Sequence, residues 1–292
     1  MNSTTTTPNA LLQRFALQEV DTPLGRVQYR HAFNTEASQP THVLVHGIGS
    51  ASASWVMQLH AAANAPVGTP NATFNVLAWD APGYGTSTPV APERPHAEDY
   101  ATRLWAWLDA LGVTQPVTLV GHSLGAIMVA SAARMAPQRV NHLILLAPAR
   151  GYLHAAPEAR EKKLHDRLNN LATLGPAGMA AKRGAAMLSS TATAVEVDFI
   201  QHVMAQINPN GYTQATYLLA NADVQSDLVH CTCPITVASG RADSITPEAA
   251  CREVAASAGV PWVDLGNAGH ACPLEAAQAV NQLLGLPTGD SL

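Results

Sequence analysis

Charge is scarce in this sequence. Only 13% of its 292 residues are Asp, Glu, Lys or Arg, against about 25% in an ordinary soluble domain. The 21 acidic and 16 basic side chains leave a formal net charge of -5, and they are spread along the chain without a basic stripe. No local field would collect phosphates, so nucleic acid is not an expected partner. Long apolar runs are lacking too. One charge-free stretch, Leu111 to Ala133, is interrupted by Gln115, Pro116, His122 and Ser123. A membrane span needs about 20 predominantly apolar residues, so no membrane insertion is expected. Four cysteines, Cys231, Cys233, Cys251 and Cys272, form no CxxC pair and are too sparse for a disulfide scaffold. Cys231 and Cys233 have no second ligand pair nearby, and a closed zinc site needs four ligands. Neither metal nor cofactor is expected. The first ten residues, MNSTTTTPNA, have neither the basic nor the apolar region of a secretory signal. They read as a frayed tail, and the chain as a cytoplasmic protein.

What is present is a chain that is 47% apolar and long enough for a sizeable core. Short β-branched or apolar runs alternate with longer Ala/Leu-rich periodic stretches, the pattern of βαβ units and a mostly parallel sheet. Strands are expected at 16–20, 26–31, 41–46, 74–80, 117–120, 140–146, 234–239 and 260–265, the first two as an antiparallel hairpin. Helices are expected at 54–63, 96–111 and 124–135. The alternation stops at Pro148. From 151 to 230 the pattern is helical and Met-rich with no convincing strand. The expected organisation is a core of 1–150 and 231–292 with a helical cap of 151–230.

The strongest chemical signal is Gly121-His122-Ser123-Leu124-Gly125, a GxSxG between an expected strand and an expected helix. A sharp strand-to-helix turn would expose Ser123 Oγ at the sheet's C-terminal edge, facing the positive end of the next helix. A serine hydroxyl needs a base, and that base needs an orienting acid. His270, in Asn267-Ala268-Gly269-His270-Ala271, and Asp243, in Gly240-Arg241-Ala242-Asp243, each follow an expected strand. They complete the order Ser, acid, His. His46-Gly47-Ile48-Gly49 follows another strand, and the N–H groups of Ile48 and Leu124 are the expected pair for an oxyanion. His122 reads as a wall of the site. Asp80 reads as a cap of its own Pro-Gly turn, and Asp223 and Asp227 as hinge residues of the cap. Met179, Met187, Met204 and Phe199 are candidates to line a pocket under the cap, although Met at helical spacing is more often core. No cluster of arginines points to a polyanionic substrate.

Taken together, the HGIG, DAPGYGTS, GHSLG, GRAD and AGH segments resemble, in this order, the α/β-hydrolase fold family. The resemblance implies an eight-stranded, mostly parallel sheet with helices on both faces and a cap after the sixth strand. It also implies Ser123 as nucleophile, His270 as base and Asp243 as orienting acid. Dehalogenases and epoxide hydrolases of that family carry Asp where Ser123 stands. Its carbon–carbon hydrolases typically carry Trp after the catalytic His, where this chain has Ala271, and a cap Arg that holds a carboxylate. Arg183 is a candidate for that role, although its place beside Lys182 is more simply a solvated helix face. The expected function is a serine hydrolase of a small carboxylic ester or lactone. The alternatives are carbon–carbon hydrolysis and a ligand sensor on the same scaffold. The expected partner is a small-molecule substrate; nothing in the sequence assigns an oligomeric state.

Overall fold

The computed structural model describes residues 7–33, 39–66 and 74–288. Its frame is an eight-stranded sheet: β1 (Gln18–Thr22), β2 (Gly25–Phe33), β3 (His42–Val45), β4 (Asn75–Trp79), β5 (Val117–His122), β6 (Val140–Leu146), β7 (Ile235–Ser239) and β8 (Trp262–Asp264). The spatial order is β1-β2-β4-β3-β5-β6-β7-β8. β1 and β2 form an antiparallel pair, β2 runs antiparallel to β4, and every later pairing is parallel.

The central strands are buried on both faces, and consecutive residues serve opposite cores because side chains alternate along a strand. Val43, Val45, Leu77, Trp79, Leu119, Leu143, Leu145 and Val237 enter one hydrophobic cluster. Their neighbours Leu44, Val76, Ala78, Val120, Ile144, Leu146 and Ala238 enter the other. Continuous apolar runs, rather than alternating ones, were therefore the correct signature of these strands.

The helices are α1 (Pro8–Leu12), α2 (Val56–Ala63), α3 (Ala97–Ala110), α4 (Leu124–Met135), α5 (Pro157–Arg183), α6 (Ala194–Ala205), α7 (Pro209–Asn221), α8 (Val224–Leu228), α9 (Glu248–Ser257), α10 (Cys272–Glu275) and α11 (Ala277–Leu283). α3 and α4 contribute to the first cluster, with Tyr100, Leu104 and Trp107 fully buried. α1, α2 and α11 contribute Leu11, Leu59 and Val280 to the second. α5 to α8 stand between β6 and β7. α5 is broken by Gly175, at φ 62° and ψ 177°, followed by Pro176, a pairing that interrupts helical hydrogen bonding. Among the described residues no helix is long and apolar enough to cross a membrane.

The reading of the N-terminus needs correction. Pro8–Leu12 forms a helix whose first turn is capped by the Thr7 hydroxyl, and Leu11 is buried. Proline at the first helical position costs no hydrogen bond there. Residues 1–6 of the expected tail lie outside the described residues.

β5 lies between β3 and β6, while β4 flanks β3 on the other side. Chain direction across the sheet thus reverses at the β3–β5 boundary, where the crevice of an open parallel sheet forms. The turn from β5 into α4 fits only with glycine at two places. A Cβ on Gly121 would stand 2.5 Å from the Gly125 carbonyl oxygen, and one on Gly125 would stand 2.2 Å from the Val45 carbonyl oxygen. Overpacking commonly costs about 1–3 kcal/mol. Because the obstacle here is backbone that cannot rotate away, Gly125→Ala should lose about 2 kcal/mol or more in urea unfolding. An unchanged midpoint would show that α4 can retreat from β3 without cost.

Candidate active site

Ser123 stands between β5 and α4, with φ 54° and ψ -118°. Positive φ is unfavourable for a residue with a side chain. Local hydrogen bonds hold it: its N–H donates to Leu146 O at 2.9 Å, and its carbonyl accepts from Ala126 N and Ala149 N, each at 3.1 Å. Ser123 lines a cavity of about 390 Å³ together with Ile48, Leu124, His122 and His270. No direct hydrogen bond joins Ser123 Oγ to His270 among the described residues, a loose arrangement common before substrate binds.

His270 follows β8 and Asp243 follows β7. The His270 Nδ1 stands 2.8 Å from Asp243 Oδ2, and both side chains are almost wholly buried. Asp243 Oδ1 accepts from Ile245 N at 2.8 Å and Thr246 N at 2.9 Å, while Thr246 Oγ1 lies 2.8 Å from Oδ2. Burial alone would raise the Asp243 carboxyl. The bonds from His270 and Thr246 outweigh it and hold the group below the usual carboxylate range. An ionised acceptor requires the His270 proton on Nδ1, which leaves the Nε2 lone pair free for a proton.

The loop after β3 is braced by the turn after β4. His46 Nε2 accepts from Ala81 N at 3.0 Å, so its proton is on Nδ1, 2.8 Å from Gly47 O. Tyr84 donates its hydroxyl to Ile48 O at 2.6 Å. Asp80 does not cap its own turn, as the sequence suggested. Its Oδ1 accepts from Ser52 N at 2.7 Å, so it fastens the Ile48 loop from across the sheet.

Other expected residues are redistributed. Met179, Met187 and Met204 line the cavity, whereas Phe199 is fully buried in the second core cluster. Asp223 caps α8 through Gln225 N and Ser226 N, and Asp227 pairs with Arg134 of α4. Arg183 lines the cavity, and so do Arg150 and Arg167; the expected lack of clustered arginines does not hold. Arg167, Thr246 and Tyr84 escaped the sequence reading. For Thr246 a signal existed, because an Asp followed by free N–H groups two and three residues on forms a local turn. Among the described residues no three His, Cys, Asp or Glu side chains gather as a metal-holding group.

A family model described as the alpha/beta hydrolase family matches residues 43–283. The chain belongs to this family. Among alpha/beta hydrolases of known structure it is similar to a hydrolase from Pseudomonas aeruginosa PA01, with 26% identity, a TM-score of 0.74 and coverage of 92% of this chain and 98% of that one. The enol-lactonase from Burkholderia xenovorans LB400 shares the fold at 21% identity and a TM-score of 0.78, covering 92% and 98%. A segment of 109 residues is 32% identical to the (Lyso)-N-acylphosphatidylethanolamine lipase of Homo sapiens, spanning 36% of this chain and 29% of that protein. The chain thus matches about three tenths of the length of the first curated relatives.

His122 packs against His270, with ring centroids 4.8 Å apart, and its Nε2 lies 2.7 Å from the His270 carbonyl oxygen. Burial above all, then the neighbouring His270, pushes His122 down to about 3. Burial likewise pushes His42, at the start of β3, down to about 4. In the unfolded chain both bind protons near 6.5. Between those values the unfolded state holds more protons, so stability must rise with pH across that window and fall on acidification. Each histidine contributes a slope of up to about 1.4 kcal/mol per pH unit. His122→Gln, which keeps a donor for the His270 carbonyl, should flatten the dependence of the urea midpoint on pH between 4 and 6. Equal slopes in the two proteins would mean that native His122 titrates normally.

Proposed function

We propose that the protein is a serine hydrolase of a small carboxylic ester or lactone that works through an acyl-enzyme. One observation carries the reading: Ser123, strained at the head of α4, opens on the same cavity as His270, whose Nδ1 is bound to the buried Asp243. In this reading Ser123 Oγ attacks the carbonyl carbon while His270 Nε2 takes the hydroxyl proton. The tetrahedral oxyanion accepts from the N–H groups of Ile48 and Leu124. Protonated His270 then gives its proton to the departing alkoxide, releasing the alcohol. Water repeats the sequence on the acyl group and frees the acid.

Asp243 keeps the imidazole in the tautomer that leaves Nε2 free. The helical insertion 151–230 acts as a cap, since its Met179, Met187 and Met204 line the same cavity as Ser123. A volume of about 390 Å³ suits a small-molecule substrate. Membership of the hydrolase family and the similarity to a Pseudomonas hydrolase over 92% of the chain support the general chemistry. The four free thiols fit a cytoplasmic setting.

The test is turnover of p-nitrophenyl esters of increasing acyl length. Wild type should hydrolyse them and Ser123→Ala should not, with the preferred length measuring the cavity. Asp243→Asn should remain folded by circular dichroism and lose about 10⁴ in kcat. Substantial activity in Asp243→Asn would remove Asp243 from its role. Failure of wild type on every ester would turn the reading toward carbon–carbon cleavage or ligand sensing.

A further inference from the structure

Glu275, the last residue of α10, reaches back to the loop that carries His270. Its Oε2 accepts from Gly269 N at 2.8 Å and from Ser189 N at 3.0 Å. Its Oε1 lies 3.1 Å from the same Ser189 N and accepts from the Ser189 hydroxyl. Ser189 belongs to the helical insertion and Gly269 to the segment after β8, so one carboxylate bridges two parts of the chain far apart in sequence. Neither N–H has another acceptor among the described residues. A buried N–H without an acceptor is unfavourable, and the two oxygens of a carboxylate can serve both at once. Further contacts tie the same segments. Ala271 N donates to Met187 O at 2.8 Å. A Cβ on Gly269 would stand 2.5 Å from the Leu188 carbonyl carbon and 2.6 Å from Ser189 N, so the two backbones run in direct contact. His270 thus has both chain neighbours held by residues 187–189 and Glu275, while its own carbonyl is held by His122 Nε2 at 2.7 Å. Met187 of the same segment lines the cavity of Ser123.

We propose that Glu275 is a positioning residue for the base: it fastens the His270 loop to residues 187–189, so that the helical insertion helps to place the imidazole as well as to line the cavity. The proposal rests on the hydrolase reading, in which His270 is the base. Glu275 is not among the residues that line the cavity of Ser123, so its effect on turnover passes through His270. Reacting groups tolerate little displacement, and a misplacement of about 1 Å can cost on the order of 10²-fold in rate. On its other side the loop is already anchored toward Asp243, because Ala268 O accepts from Ala242 N at 3.1 Å. Glu275 supplies the second anchor, and His270 stands between the two.

The experiment compares full-length wild type with Glu275→Ala, Glu275→Asp and Glu275→Gln on p-nitrophenyl acetate, butyrate and hexanoate, with folding followed by circular dichroism and urea unfolding. Glutamine keeps the reach and one accepting oxygen, and its amide can donate to the Ser189 hydroxyl. Aspartate is one methylene shorter and cannot meet Gly269 N and Ser189 N together. In Glu275→Ala and Glu275→Asp kcat should fall about 10- to 100-fold with KM within about threefold of wild type, and Glu275→Gln should recover most of the loss. If Glu275→Ala does not fold, Glu275→Asp carries the test. A lower urea midpoint with kcat within about twofold of wild type would make Glu275 a stabilising residue only and overturn the proposal. A loss confined to KM, or an equal loss in Glu275→Gln, would overturn it too. A second readout needs no turnover: the His270 Nδ1 proton, shared with Asp243, gives a downfield proton resonance that is assigned by its absence in His270→Gln. It should shift or broaden in Glu275→Ala and Glu275→Asp and keep its place in Glu275→Gln. If wild type cleaves no ester and the resonance behaves in this way, the positioning role stands and the hydrolase reading fails. If wild type cleaves the esters while kcat and the resonance are the same in all three variants, the positioning role fails and the hydrolase reading stands.

Discussion

The backbone at Ser123 is the constraint on which the rest of the site depends. At φ 54° and ψ -118° the residue pays a conformational cost of about 1–3 kcal/mol, so surrounding structure must fix it. β5 supplies this, being paired on both sides, with β3 and with β6. The strain also extends into β6. Ala147, just beyond that strand, has φ 44°. Its N–H donates to Ala238 O at 2.7 Å, and its carbonyl accepts from the Thr246 hydroxyl at 3.0 Å. Two positive-φ residues just beyond the ends of adjacent strands therefore join the serine turn to the turn that carries Asp243. The arrangement is set by sheet register, and register is hard to disturb where both faces are buried.

A second brace crosses from β4 to β3. Asp80, Ala81 and Tyr84 each give or take one hydrogen bond that holds the loop between His46 and Ser52. This explains a motif whose local chemistry looked self-contained. The Pro-Gly turn presents groups of Asp80, Ala81 and Tyr84 to a different loop and so holds the backbone around Ile48. In the proposed mechanism, backbone donors fixed in this way would need no reorganisation as negative charge develops.

Much of the core was legible because its signal is local. The strands β3 to β7 are β-branched or apolar runs bounded by Gly, Pro or polar residues, and α4 follows directly from the GxSxG turn. What escaped detection depends on contacts distant in sequence. Asp80 finds its partner at Ser52, and Phe199, with the same helical spacing as cavity methionines, turns instead into the second core. Arg167 was invisible for a related reason. Its helix α5 buries only Met179 and Ala180, so apolar periodicity defines no inner face from which the direction of Arg167 follows. The break at Gly175 further separates the faces on its two sides.

His122 shows how the site limits positive charge beside His270, the base of the proposed mechanism. Two imidazoles tilted against each other at 4.8 Å would repel if both were protonated. Complete burial keeps His122 neutral down to about pH 3, and its Nε2 proton is committed to the His270 carbonyl. Its Nδ1 is left without a hydrogen-bond partner among the described residues, a cost a protein rarely retains without compensation. The compensation is positional. A neutral ring fixes the backbone of His270 from behind, while Asp243 is the one charged group on the Nδ1 side, beside the Thr246 hydroxyl; in the proposed mechanism the imidazolium would therefore meet one negative charge and no second cation. Charging His122 would remove that asymmetry, and its burial between Trp55 and His270 is the means by which the fold keeps it uncharged.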